Sequence, residues 1–207
     1  MGEINENDRF GSTIVSTVKK YNLQKVLEIG SWDGTGSTQC FIKGMMELEE
    51  PSLTCIEVKN DRYKQLVENT KKYPWVKCVN QTTISLKTLI DNDFEALWDG
   101  PYNHIKSDKQ TVNDWYNQDI GEISKYDTGF LETDNAYYDG ILIDGSEFFG
   151  YSEYLLVKDR CRVLFLDDYY NAFKTRRVVE ELSKDERWQC VDGDRYTRNG
   201  FAIFVKK

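Results

Sequence analysis

Acidic residues in this sequence fall where predicted strands end. Asp144 closes one apolar run, and Asp167 and Asp168 close the next apolar run along the chain. If the two strands are neighbours in a sheet, these three carboxylates meet at one edge of it. Two unit charges 4 Å apart interact with about 4 kcal/mol at an effective dielectric constant near 20. Such a cluster therefore requires protons or a cation to neutralise it.

The sequence predicts that the neutralising cation comes from solution. No lysine or arginine follows Asp144 or Asp168 within a few residues, and Lys174 is predicted to lie a turn into the next helix. Hard oxygen ligands select Mg²⁺, Ca²⁺ or Mn²⁺. A bound divalent cation could lower the pKa of a substrate hydroxyl and orient its oxygen for reaction.

A second chemical feature is an early apolar run that ends in a carboxylate and two spaced glycines. Glu28 stands near the end of the run, and Gly30 and Gly34 follow it. This order predicts a strand, a tight turn and a helix capped by Thr35 or Ser37. Glycines allow a ligand to approach the backbone closely. Glu28 is predicted to point into the crevice where open α/β sheets bind ligands.

The third feature bears on the type of cofactor. Glu57 ends the second predicted strand, where an acid in a doubly wound fold hydrogen-bonds ribose hydroxyls. A dinucleotide fingerprint, G-x-G-x-x-G, fails in both registers, because Trp32 and Gln39 stand where glycines are needed. The sequence thus favours a ribose-bearing cofactor and disfavours the cradling of a pyrophosphate.

Strand and helix patterns alternate along the chain after a first helix that carries Ile14, Val18 and Tyr21. Strands are predicted over 26–29, 53–58, 75–80, 138–144, 161–168, 188–191 and 201–205, and helices over 38–48, 60–73, 85–94, 151–158 and 173–183. Turn residues between the last two strands predict a hairpin. The predicted fold is α/β: a Rossmann-like, doubly wound, mostly parallel seven-stranded sheet with a C-terminal antiparallel hairpin. Residues 1–207 are predicted to form a single domain.

Residues 95–137 interrupt this alternation and are too long for a plain connection. They are predicted to hold local helix and to form a lid or substrate-binding insertion. Their aromatic side chains suit a sugar or a phenol but could equally form a small satellite core. His104, the one histidine of the chain, lies in this segment.

The glycine turn carries a resemblance to a known family. Read as Glu-Ile-Gly-x-x-x-Gly-x-x-Ser over 28–37, it resembles motif I of class I S-adenosylmethionine (SAM)-dependent methyltransferases, in the form typical of catechol-type and sugar O-methyltransferases. The resemblance implies the class I methyltransferase fold and SAM as cofactor. It places the following residues at the cofactor: Glu28, Gly30, Ser31, Gly34, Ser37, Glu57, Asn80 and Asp144.

The acidic strand ends sharpen the resemblance. Ile-Asp-Gly at 143–145 and Leu-Asp-Asp-Tyr at 166–169 are similar to the metal site of macrolide and aminocoumarin sugar O-methyltransferases. This similarity implies that Asp144, Asp167 and Asp168 are ligands of Mg²⁺ or another divalent cation.

The chain departs from these families where a base is expected. The sugar enzymes place a second aspartate two residues after the first ligand, and here that residue is Ser146. The catechol-type enzymes place a lysine three residues after it, and here that residue is Glu147. Glu147 is the predicted base if it points inward, with His104 as the second candidate. The alternative for Glu147 is an ordinary acid at the start of a helix.

Composition narrows the class of partner. The formal net charge of −8 disfavours nucleic acid as a partner. The first 20 residues are polar and no apolar run has the length of a membrane span, so neither a signal peptide nor a membrane anchor is predicted. Five scattered cysteines favour free thiols in a reducing cytoplasm. A monomer and a homo-oligomer both remain open.

The leading functional hypothesis is a SAM-dependent O-methyltransferase, assisted by a divalent metal, whose partner is a small hydroxylated acceptor such as a sugar. One alternative is an NAD-dependent nucleotide-sugar oxidoreductase or epimerase, against which the glycine register weighs. Another is a non-catalytic SAM-fold interaction module, which the absence of an aspartate at Ser146 keeps open.

Overall fold

The computed structural model describes residues 4–90, 92–170 and 173–207. Its strands are β1 (Lys25–Ile29), β2 (Ser52–Ile56), β3 (Val76–Val79), β4 (Tyr138–Ile143), β5 (Cys161–Asp167), β6 (Trp188–Asp194) and β7 (Phe201–Lys206). They form one sheet in the order β3-β2-β1-β4-β5-β7-β6. β1 to β5 pair in parallel, and β7 pairs antiparallel with both β5 and β6. The predicted seven-stranded sheet with its closing hairpin is confirmed.

Helices cover both faces of this sheet. They are α1 (Arg9–Tyr21), α2 (Ser37–Met45), α3 (Asn60–Thr70), α4 (Phe94–Trp98), α5 (Lys109–Ile123), α6 (Phe130–Thr133), α7 (Gly150–Val157) and α8 (Arg176–Leu182). Phe10 of α1 and Phe41 of α2 belong to the core on one face, and Val112 of α5 and Val178 of α8 belong to the core on the other. Burial on both faces explains why the central strands are almost continuously apolar.

Two composition-based expectations can be compared with the described ranges 4–90, 92–170 and 173–207. Within them, no helix combines the length and the apolar character needed to cross a bilayer. The five cysteines are free, as predicted, and Cys40, Cys55 and Cys161 are buried.

The order of strands 1 and 4 in the centre of the sheet creates the crevice for the site. β1 pairs with β2 on one side and with β4 on the other. The strand order therefore reverses at this point, since β2 and β3 extend the sheet in one direction and β4 and β5 in the other. Open parallel sheets bind ligands outside the carboxyl ends of the strands at such a switch point. The residues after β1, β2, β4 and β5 therefore surround one region.

Helix boundaries differ from the predictions in two places that affect the site. Residues 85–90 contain a turn over 86–88 and no helix, α4 begins only at Phe94, and residue 91 lies outside the described residues. The predicted helix over 173–183 begins at Arg176. Lys174 consequently precedes the helix, and the prediction that it lies a turn inside is wrong. A loop conformation lets its side chain turn back to the ends of β4 and β5.

The helix after the glycine turn is also capped differently from the prediction. Gly36 is the N-cap of α2 and provides no side-chain hydrogen bond. The hydroxyl of Thr35 donates to Asp33 at 2.6 Å, and that of Ser37 donates to Glu28 at 2.6 Å. These acids compete successfully with the helix terminus for both hydroxyls, so the predicted side-chain cap is wrong.

The segment 95–137 contains most of α4 and the whole of α5 and α6, so the predicted local helix is confirmed. α5 buries Val112, Tyr116 and Ile123, and the Tyr116 ring packs edge-on against Phe148 at 5.2 Å. α6 is tied to the loop after β3, because the amide of Phe130 donates to the Thr82 carbonyl at 2.8 Å. The segment thus packs onto the ends of the strands.

Candidate functional site

The glycine turn is built by close contact between the ends of β1 and β4. Gly30 has φ +85°, and a Cβ at this position would lie 2.1 Å from the carbonyl oxygen of Asp144. Gly34 has φ +76°, and a Cβ there would meet the Leu66 side chain at 2.7 Å. Only glycine satisfies both the backbone conformation and the available space. The turn therefore brings its backbone directly against the residues that follow β4.

Glu28 has a structural role in this turn. It is fully buried, and its two carboxylate oxygens accept hydrogen bonds from the hydroxyls of Ser37 at 2.6 Å and Thr38 at 2.7 Å. It lines none of the three cavities that surround the strand ends. The prediction that Glu28 points into the crevice is wrong, because the start of α2 supplies two donors on the opposite side.

A cavity of about 440 Å³, which we call the cofactor cavity, opens at the switch point of the sheet. Gly30 after β1, Glu57 after β2, Thr82 after β3 and Asp144 after β4 line its strand-end wall. Asp119 of α5 contributes to the opposite wall. This size lies in the range of small-molecule and cofactor sites.

Glu57 lines the cofactor cavity. It is buried, and one carboxylate oxygen accepts the backbone N–H of Lys59 at 2.7 Å. Burial raises the pKa of Glu57, against the lowering effect of the Lys59 amide and the nearby Arg62. Asn80 instead donates to the carbonyl oxygens of Glu57 and Val58 at 2.8 and 3.0 Å, so it holds the loop that carries Glu57.

One aromatic and one basic side chain form the mouth of the cofactor cavity. Trp32 has φ +51°, a conformation that is uncommon for a bulky residue, and 45% of it is exposed. The guanidinium of Arg62 lies 3.0 Å from the centre of the Trp32 ring. Sequence reasoning did not select this pair, because Arg62 is one of several basic residues on a polar helix.

Glu153 was also not selected from the sequence. It projects from α7, is fully buried at the cofactor cavity, and accepts a hydrogen bond from Thr83. Its second oxygen, Oε2, has no hydrogen-bonding partner among the described residues. Burial raises the pKa of Glu153 to about 7. An acid inside an otherwise helical pattern gives no sequence signal of this position.

Asp119 is a further residue that the sequence did not indicate. Its carboxylate accepts a hydrogen bond from the Ser146 hydroxyl at 2.6 Å. Burial raises the pKa of Asp119. The sequence contains a serine where the sugar enzymes have an aspartate, and the fold brings a carboxylate from α5 to that serine.

The acids at the ends of β4 and β5 meet as predicted. Carboxylate oxygens of Asp144, Asp167 and Asp168 all lie within 4.8 Å of one another. The prediction that no internal base neutralises them is wrong. The ammonium of Lys174 lies 2.9 Å from Asp144 and 2.7 Å from Asp168, and the guanidinium of Arg198 lies 2.6 Å from Asp167.

These contacts set the ionisation of the group. Burial acts to raise the pKa of Asp168, but the Lys174 ammonium overcomes it, so this pKa is below its usual value. Burial raises the pKa of Asp144 to about 6 and that of Asp167 well above its usual range. Burial opposes the charge on Lys174, yet its carboxylate neighbours raise its pKa well above the usual value. Lys174 and Asp168 are thus a buried ion pair.

The two candidate bases are placed very differently. Glu147 points inward, and its Oε1 lies 3.5 Å from the Lys174 ammonium. Its Oε2 is buried without a hydrogen-bonding partner in the part of the chain described, and burial raises its pKa. His104 is exposed and lines none of the three cavities around the strand ends. The structure therefore does not bring His104 to the site.

Two smaller cavities adjoin the acids. One of about 320 Å³, the acid cavity, is lined by Ser31, Ser37, Lys174 and the three aspartates. The other, of about 370 Å³, is the aromatic cavity, whose lining includes Tyr102, Tyr151, Lys174 and Arg177. Lys174 lines both, so its side chain stands between the acids and a space large enough for a small molecule.

No protein-family model matches the sequence, and no curated protein sequence matches it. Solved structures do match over almost the whole chain. A Staphylococcus aureus protein provisionally named a caffeoyl-CoA O-methyltransferase is 15% identical, with a TM-score of 0.62, over 99% of this chain and 87% of that one. An O-methyltransferase from Bacillus cereus in complex with SAH is 13% identical, with a TM-score of 0.59, over 95% and 80% of the two chains.

A third match is TomG from Streptomyces achromogenes, an O-methyltransferase involved in tomaymycin synthesis whose structure contains SAM. It is 11% identical, with a TM-score of 0.56, over 95% of this chain and 79% of that one. At these identities the likeness concerns the fold. The chain has the class I methyltransferase fold, as its motif I predicts.

Proposed function

We propose that this protein is a SAM-dependent O-methyltransferase that acts on a small hydroxylated acceptor such as a sugar. The observation that carries the proposal is the cofactor cavity at the switch point, where Gly30, Glu57 and Asp144 converge from three strand ends. The fold is shared with proteins whose structures contain SAM or SAH.

The residues present fit a nucleoside cofactor. Gly30 leaves a space beside Asp144 that any Cβ would fill, so a ligand can lie against the backbone. In the proposal Glu57 accepts hydrogen bonds from the ribose hydroxyls of the cofactor. Thr82, Thr83 and Glu153 surround its adenine ring. Gly30, Ser31, Ser37 and Asp144 hold the amino-acid part, while Glu28, Gly34 and Asn80 fix the loops. When bound, SAM supplies an activated methyl group.

The acceptor enters from the aromatic cavity in this proposal. Tyr102 and Tyr151 offer flat apolar surfaces with polar tips, which suit a sugar or a phenol. Glu147 lines the cofactor cavity and the acid cavity and lies beside Lys174, which also lines the aromatic cavity. In the proposal Glu147 takes the proton of the acceptor hydroxyl as the oxygen–methyl bond forms. Methyl transfer is an in-line displacement, so correct positioning of the acceptor oxygen supplies much of the acceleration.

We further propose that residues 1–207 form one methyltransferase domain in which residues 95–137 are a lid over the bound ligands. Trp115, Gln118 and Asp119 of α5 line the cofactor cavity, whereas Tyr102 lines the aromatic cavity. The segment therefore stands over both proposed ligands.

Assistance by a divalent metal is not part of this proposal, although two features of the three acids are compatible with it. The mutual distances of the Asp144, Asp167 and Asp168 oxygens support it, as does Asp168 Oδ1, which is buried without a hydrogen-bonding partner in the described ranges. Each of the three acids nevertheless has a basic partner from the chain itself. As folded, this donor set does not fit a divalent ion, and no step of the proposed reaction is routed through one.

Isothermal titration with SAM, SAH and NAD⁺, followed by transfer assays with labelled SAM on sugars and phenols, tests the proposal. We expect SAM and SAH to bind and NAD⁺ not to bind. Binding of NAD⁺ in preference to SAM would favour the oxidoreductase or epimerase. Binding of SAM without transfer to any hydroxylated acceptor would favour the non-catalytic interaction module.

A further inference from the structure

We infer that the ammonium of Lys174 is the resident cation of the acidic cluster and occupies the place that a divalent ion would take, so that the site works without a metal. The inference deepens the proposed function and, where it concerns methyl transfer, rests on it. Three observations carry it: the contacts of Lys174, the way its backbone is fixed, and the cavities that it faces.

The contacts of Lys174 are those of a bound cation. Its Nζ lies 2.9 Å from Asp144 Oδ1, 2.7 Å from Asp168 Oδ2 and 3.5 Å from Glu147 Oε1. The lysine side chain is only 7% exposed. Three carboxylates from two strand ends thus surround one ammonium. Arg198 pairs with Asp167, so a divalent ion would have to compete with two fixed positive charges.

The backbone around Lys174 holds the side chain in this place. Gly150, the first residue of α7, packs so closely on Lys174 that a Cβ on the glycine would lie 2.0 Å from the lysine carbonyl oxygen. The next residue, Thr175, is fully buried and donates its hydroxyl to the Asp167 carbonyl oxygen at 2.5 Å. A surface lysine could swing away from an arriving ion, but this one is anchored on both sides.

Lys174 lies between the acid cavity and the aromatic cavity, and this position indicates the function of its ammonium. It fixes the carboxylates of Asp144 and Asp168 and stands beside Glu147, the proposed base. We assign it as a positioning residue, which orients these carboxylates at the entrance from the acceptor side. A fixed cation at this point does for the carboxylates what a metal would do, with no requirement for a free ion.

Titration with Mn²⁺, followed by electron paramagnetic resonance, tests the inference without any assay of activity. The proteins compared are the wild type, Lys174→Met and the control Lys158→Met, whose lysine faces Glu181 at 3.7 Å away from the acids. We expect no stoichiometric site in the wild type or in the control. Lys174→Met should gain one site, at least about 10-fold tighter than any wild-type binding.

Two results of this titration would overturn the inference. One is a wild-type protein that binds one Mn²⁺ as tightly as Lys174→Met, with the binding lost in Asp168→Asn. The other is a folded Lys174→Met that gains no site, because the lysine would then not occupy a place that suits a cation.

A measurement on the wild type alone covers the case in which Lys174→Met fails to fold. Methyl transfer should continue in excess EDTA and should not rise when Mg²⁺ is added. Transfer that is lost in EDTA and restored by Mg²⁺ overturns the inference. Absence of SAM binding would instead refute the proposed function, and the Mn²⁺ titration would still give its answer.

Discussion

The two halves of the strand-end edge treat their acids in opposite ways. At β1 and β2, Glu28 accepts hydrogen bonds from hydroxyls and Glu57 from a backbone amide. At β4 and β5, Asp144 and Asp168 share the buried ammonium of Lys174. Neutral donors leave the first half open to a neutral or cationic ligand, whereas the second half carries its own counter-ion.

This difference teaches that an acid at a strand end takes its role from its partners. Glu28 lies near the end of β1, Asp144 directly follows the neighbouring parallel strand β4, and both are candidates for ligand contact on sequence grounds. Two hydroxyls make Glu28 part of the framework, while an ammonium between two cavities makes Asp144 part of the site. Each prediction below tests one side of this contrast.

The largest expected effect comes from removing the counter-ion. Lys174→Met should lower the free energy of unfolding by about 3–5 kcal/mol, because it leaves buried carboxylates without compensation. The control Lys158→Met should lose less than about 1 kcal/mol, since that lysine is 30% exposed and its ion pair is screened by solvent. Urea unfolding at neutral pH measures both. Equal losses in the two variants would contradict the distinction between the buried and the exposed pair.

The next effect concerns Glu153, an acid of the cofactor half that forms no salt bridge with any described residue. Burial raises the pKa of Glu153 from 4.5 to about 7. The folded state therefore retains a proton that the unfolded state releases, so stability falls as the pH rises from about 4.5 to about 7. Glu153→Gln should remove this loss and be more stable than the wild type by about 3 kcal/mol at pH 8, with little difference near pH 4.5.

Thermal or urea unfolding across this pH range measures the effect of Glu153→Gln. Glu186→Gln is a matched control, because it makes the same substitution at an exposed glutamate outside the cofactor cavity. A parallel pH dependence in the wild type and in Glu153→Gln would show that other groups dominate the titration.

A smaller effect is expected at the cofactor itself. Glu57→Ala should weaken SAM binding by about 1.5–3 kcal/mol if the carboxylate accepts a charge-assisted hydrogen bond from the ribose. Glu68→Ala, on the exposed side of α3, should bind SAM like the wild type. Unchanged affinity in a folded Glu57→Ala protein, measured by calorimetry, would rule out this place for the ribose.

The cofactor half could largely be predicted from the sequence because its determinants are local. Gly30 and Gly34 are required by the turn that they form, and Glu57 directly follows its strand. Even here, the predicted direction of the Glu28 side chain was wrong, because a strand pattern does not show on which side of the turn a buried side chain lies. Its partners, Ser37 and Thr38, become visible only when α2 is folded against β1.

The acid half could be predicted only in part, because its partners arrive from distant positions. The meeting of Asp144 with Asp167 and Asp168 follows from parallel strand order. Arg198 reaches Asp167 from the loop of the C-terminal hairpin, 31 residues away in sequence. Asp119 reaches Ser146 from the middle of the segment that had no predicted register. No local pattern encodes either contact.

The smallest expected effect is a local change in hydrogen exchange, which should differ between the two halves according to which ligand is added. α5 lines the cofactor cavity through Trp115 and Asp119, whereas Tyr102 and Pro101 line the aromatic cavity. Hydrogen exchange in α5 should therefore slow with SAM alone, because in the proposal the ligand contacts this helix and stabilises it. Residues 100–102 should slow only when the acceptor is added as well. Mass spectrometry of deuterium uptake resolves these peptides.

α1 provides the internal control for this experiment, since it packs on α2 and the opposite face of the sheet and should exchange equally in all states. Slowing around Gly30 and Glu57 without any change in α5 would mean that SAM binds while the segment 95–137 acts as a structural insertion. Slower hydrogen exchange of residues 100–102 with SAM alone would mean that the two cavities respond together to one ligand. The contrast between the halves would then concern their charges and not their ligands.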